Sequence, residues 1–84
     1  MRKELTELAE SYGRSIMFAD GHDNALVGYV TPEDDDWLLS VYNSQIIVKN
    51  LTDSGMTEDE AWEFFYFNIE GAYVGAGTPM FICH

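Results

Sequence analysis

The last third of the chain constrains its fold most. From Gly55 to Gly75 three acids open a helix, an aromatic block follows, and glycines close it. Thr57-Glu58-Asp59-Glu60 has the spacing of a capping box, in which the Thr57 hydroxyl accepts from the Glu60 amide and the Glu60 carboxylate returns to the Thr57 amide. The acids also complement the helix dipole. Beyond them, Ala61, Phe64, Phe65, Asn68 and Ala72 form one stripe at helical spacing. Trp62, Tyr66, Ile69 and Tyr73 form a second, and Phe67 falls on neither. A helix apolar all round is normally buried, yet 84 residues enclose no interior wide enough to surround one. The first stripe is therefore expected in the core, with Asn68 as a buried amide serving a loop backbone. The Trp62, Tyr66 and Tyr73 side is either a partly solvated rim or a contact with a second subunit or target protein, since aromatics concentrate at interface hot spots.

This length makes one domain, residues 1–84, with no room for a second core. Apolar residues are 46% of the chain, which excludes a disordered composition. No apolar run approaches the roughly 20 residues that span a bilayer. Met1-Arg2-Lys3-Glu4-Leu5 lacks the apolar core of a secretory signal. Cys83 is the single cysteine, so no internal disulfide is expected, and a cytoplasmic setting fits.

Fifteen Asp/Glu oppose four Lys/Arg, a net charge of −11. Phosphate repulsion then argues against direct binding to nucleic acid or to an anionic membrane. A protein partner with a basic surface is the complementary expectation. Mimicry of nucleic acid could only be local. Spread over the surface of so small a fold, the charge is about one per 450 Å², against roughly one per 100 Å² for duplex DNA. Two acidic groups could supply such a patch: Glu33, Asp34, Asp35 and Asp36, and Glu58, Asp59 and Glu60. Each also reads as a solvated face, and the second is explained by capping.

The remaining pattern predicts an α+β fold: a small antiparallel sheet of three to four strands against two or three helices. Leu5, Leu8, Ala9 and Tyr12 give a helix over 3–13, with Gly13 at its end. Strands are predicted at 15–19, 25–30, 37–42 and 80–82. The first two suggest a hairpin across the 20–24 turn, and Gly28 marks a bulge. Asn43 or Ser44 caps a helix over 45–53.

Asp20, His22 and Asp23 admit three readings: a structural turn, a recognition loop, or a metal site joined by Cys83 and His84. Their spacing matches neither zinc nor EF-hand patterns, so no metal or cofactor is expected. Cys83 lacks an obvious activating base, and Gly71, Gly75 and Gly77 lack the Lys-Ser/Thr of a phosphate loop, so an enzyme is not expected.

The run from Gly55 through Phe67-Asn68-Ile69 and Gly71-Ala72-Tyr73-Val74-Gly75 to Thr78-Pro79 and Phe81 resembles a family of small uncharacterised proteins of bacteriophages and prophages. Asp20-Gly21, Asp23, Ala25 and Gly28 resemble that family's upstream signature. The resemblance covers about half the chain. Ala76-Gly77, where the family carries an acid, and the charged 33–36 loop depart from the pattern. It implies a phage accessory protein acting in the host cytoplasm. Three classes thus stand: a non-enzymatic protein that binds a host or phage protein, acting as an acidic inhibitor or nucleic-acid mimic; a structural homodimer through the last helix; and a small enzyme or metal protein.

Overall fold

The computed structural model describes residues 1–33, 36–72 and 75–82. Helix α1 is Arg2–Ser11, followed by strand β1, Ser15–Met17. A 3₁₀ turn at Asp23–Ala25 leads into β2, Leu26–Val30. Then come β3, Trp37–Asn43, and α2, Ser44–Asp53. Helix α3, Glu58–Phe64, runs without a break into a π-helical segment, Phe65–Glu70, and β4 is Met80–Ile82.

The class is α+β, but the sheet is mostly parallel, which corrects the antiparallel expectation. β3 is its central strand. β2 pairs with it antiparallel, and β1 and β4 pair with it parallel. The two parallel strands share one edge end to end: β1 matches Trp37 to Leu39, and β4 matches Val41 to Asn43. Two buried serines close the ends of this split row. Ser40 Oγ donates to the Met17 carbonyl at 2.7 Å, where β1 stops. Ser44 Oγ donates to the Ile82 carbonyl at 3.0 Å.

The expected hairpin between 15–19 and 25–30 does not form, because those strands lie on opposite sides of β3. The chain between them crosses the core face instead, where the Ala19 amide donates to Tyr42 Oη at 2.7 Å. Tyr42 is fully buried there, and desolvation pushes its phenol up. The bulge does appear, as a register shift between Leu26 and Gly28.

Trp37, Leu39 and Val41 alternate with Leu38, Ser40 and Tyr42, so the two sets point to opposite faces. The second face is the core face. Tyr42 and Leu26 join Leu5 of α1, Ile47 and Val48 of α2, and Ala61 and Phe65 of the last helix in one cluster. The helices therefore cover one side of the sheet. Asn43 Oδ1 caps α2, accepting from the amides of Gln45 (2.9 Å) and Ile46 (3.4 Å). Gly13 and Gly55 take positive φ at the ends of α1 and α2, which a side chain there would resist. On the far side of the sheet the chain crosses Trp37 at Gly77. A Cβ on Gly77 would sit 2.3 Å from the Trp37 ring, so only glycine fits that crossing.

Candidate protein-binding face

The capping box forms as its spacing dictates. Glu60 N–H donates to Thr57 Oγ1 at 3.2 Å, and Thr57 N–H donates to Glu60 Oε1 at 3.0 Å. The bond from the Thr57 backbone holds the Glu60 carboxylate below its usual range. Ala61 and Phe65 then face the core as expected.

The rest of the predicted core stripe is wrong. Phe64 is 38% exposed, and Asn68 and Ala72 are also exposed. Trp62 and Ile69, assigned to the outer stripe, pack against the core cluster. For Asn68 and Ile69 the cause is the π-helical segment from Phe65, whose i→i+5 bonding takes one extra residue into each turn. Gly71 N–H reaches back to the Tyr66 carbonyl at 3.0 Å in that pattern. The lag rotates Asn68 off the core line and brings Ile69 onto it. Asn68 is accordingly no buried amide.

Trp62 is half-buried. Its ring meets Phe65 edge-on at 5.9 Å and stacks with Tyr66 at 5.7 Å. Phe65 in turn meets Phe81 edge-on at 5.5 Å, so this side is a continuous aromatic layer down to the sheet. Tyr66 lies at its outer margin, 54% exposed. Tyr73, the third expected anchor, lies outside the described residues, as do Cys83 and His84.

Among the described residues the most exposed aromatic is Phe67, at 75%. With Phe64, Met56, Glu60, Glu63 and Asn68 it lines an open groove of ≈ 340 Å³ along the solvent side of the helix. Apolar floor and acidic rim alternate there, because Glu60, Phe64 and Phe67 follow each other at i, i+4, i+7. That spacing was present in the sequence. Choosing apolar Ile69 over polar Asn68 for the core would have revealed it.

The two acidic groups lie on different elements. Glu33 and Asp36 precede the N-terminal end of β3, while Glu58, Asp59 and Glu60 start a helix packed on α2, which leaves its other end. Asp34 and Asp35 lie outside the described residues.

The Asp20–Asp23 turn is held from within. Arg2 forks to both carboxylates, reaching Asp20 Oδ1 at 2.9 Å and Asp23 Oδ1 at 3.2 Å, with its guanidinium 4.6 Å above the Phe18 ring. Asn24 and Asn50 exchange two amide bonds at 2.9 and 2.8 Å. The second Asn50 N–H faces His22 Nδ1 at 3.2 Å, a geometry that suits a neutral ring accepting there. Burial lowers the His22 pKa in the same direction. Among the described residues no three His, Cys, Asp or Glu side chains gather at one point, and no helix is long and apolar enough to cross a membrane.

No family model, curated protein or solved structure matches this chain.

Proposed function

We propose that this chain is a non-enzymatic accessory protein that binds another protein through the solvent side of its last helix. The observation that carries this reading is the exposure of Phe67 and Phe64 along a groove rimmed by Glu60 and Glu63. Large exposed aromatics cost solubility and contribute nothing to the core. On a partner they fill pockets and become the strongest contacts. The acidic rim selects a basic surface and speeds encounter, with Glu58 and Asp59 adding to the same end of the helix. Phe64 and Phe67 replace Trp62 as anchors in this reading, and Tyr66 stays at the margin. The phage setting and host cytoplasm rest on the resemblance carried by residues 55–81.

Affinity capture from host lysate tests it. Wild type should retain a partner that Phe64→Ser/Phe67→Ser loses, and rising salt should weaken the retention. A partner held equally by the double variant would remove the helix face from the mechanism.

A further inference from the structure

A cavity of ≈ 320 Å³ adjoins the helix groove, and Phe64 and Asn68 line both. Its other walls come from stretches far apart in sequence. Phe18 belongs to the chain that crosses the core face after β1, Ile69 to the π-helical segment, and Phe81 to β4. All three pack against the core cluster, so these walls are fixed by the fold. Asp20 is the only charged residue that lines the cavity, and Arg2 already holds its carboxylate at 2.9 Å. His22 lines it too, as a neutral ring engaged by Asn50. Asn68 differs from both, because its side-chain amide has no hydrogen-bond partner among the described residues. The π-helical register that turns this amide off the core line is itself rare, and such segments concentrate at functional sites.

We propose that this cavity binds a small, flat, uncharged aromatic molecule with a hydrogen-bond donor beside an acceptor. An aromatic carboxamide and a free nucleobase both present that edge. Size sets the first limit, since the volume lies at the low end of the about 300–1,000 Å³ of small-molecule sites. The three phenylalanines favour an aromatic body, because rings gain from stacked and edge-on contacts beyond the area they bury. Asn68 sets the polar edge: its amide donates and accepts side by side, as it does when it pairs with a base edge. Charge is excluded from both directions. An anion would find no free cation in the lining and would enter a chain of net charge −11. A cation would find the one carboxylate already taken by Arg2. This inference does not rest on protein binding at the groove, because neither Phe67 nor the Glu60–Glu63 rim lines the cavity.

Titrating the full chain with nicotinamide and with adenine, followed by methyl NMR, tests the assignment. The Met17 and Ile69 methyls, which line the cavity, should shift and saturate at roughly millimolar ligand or below. The Met56 methyl in the groove should not follow them. Nicotinate, the same ring with a carboxylate, should bind at least about tenfold more weakly. Toluene, which has the ring without the polar edge, should be weaker as well. Asn68→Leu, at an exposed position, should weaken nicotinamide and adenine by about tenfold and leave toluene unchanged. The toluene arm separates a lost hydrogen bond from a lost fold. Saturation by only one of the two probes supports the site and identifies the source of its ligand. Shifts that never saturate for either probe, or that move Met56 instead, overturn the proposal. So does nicotinate or toluene binding as tightly as nicotinamide, or binding that Asn68→Leu leaves intact. Phe67→Ser alters only the groove, so its effect on partner capture and its lack of effect here let either idea fail alone.

Discussion

The Asp20–Asn24 turn and the outer side of the last helix make an instructive pair. Both hold residues that suggest chemistry or recognition. In the turn, both carboxylates, the imidazole and the amides find internal partners: Arg2 takes the two acids, and Asn50 takes Asn24 and His22. The fold explains them completely. On the helix, Phe67 is 75% exposed and Phe64 38%, beside Glu60 and Glu63. Function is better sought where groups lack internal partners than where suggestive residue types gather.

The sharpest way to break that contrast lies two residues apart. Phe65, 1% exposed, should cost about 3–5 kcal/mol when changed to alanine. Phe67→Ala should stay within about 0.5 kcal/mol of wild type. Comparable losses from the two in urea titrations would mean the outer face is structural after all. Next comes Gly77→Ala, whose new methyl meets the Trp37 ring. Overpacking of this kind costs about 1–3 kcal/mol, and a shift in tryptophan emission should accompany it. Thr57→Ala should follow at about 1 kcal/mol, from loss of the cap. An unchanged midpoint would show that the aromatic layer alone holds the helix.

The smallest effect is in the turn and depends on pH. Burial lowers the His22 pKa, so the unfolded chain binds more protons between the two values. Its contribution is whole above about pH 6.5, the unfolded value, and declines as pH falls toward the folded one. His22→Gln should flatten that acid limb in stability measurements. A limb unchanged in the variant would show that the turn does not feel the imidazole.

Element positions were largely legible. The capping box, the Asn43 cap, the Gly28 bulge and the strands at 26–30, 37–43 and 80–82 each follow from local chemistry. Pairing was not. A turn rich in Asp, Gly and Asn suits a hairpin, and nothing local announces that Tyr42 will draw Ala19 across the core face. The helix faces were misread for a related reason. A fixed 3.6-residue period cannot register the change to π geometry at Phe65, which turns Asn68 off the core line and Ile69 onto it. Trp62 looked free because its neighbours in sequence were aromatic, yet its ring completes the layer over Phe65.

The split edge of the sheet also bears on how the chain reaches its native state. β4 docks beside residues nearly forty positions earlier, in parallel, so its contacts close one of the longest loops in the protein. Phe81, which bridges Tyr42 and Phe65, arrives with it. During synthesis the helices and the β2–β3 pair can assemble while half of that edge is still missing. Until residues 80–82 are released and seated, Tyr42 and Phe65 lack their last aromatic neighbour. The final commitment to the fold is thus made by its latest-made strand.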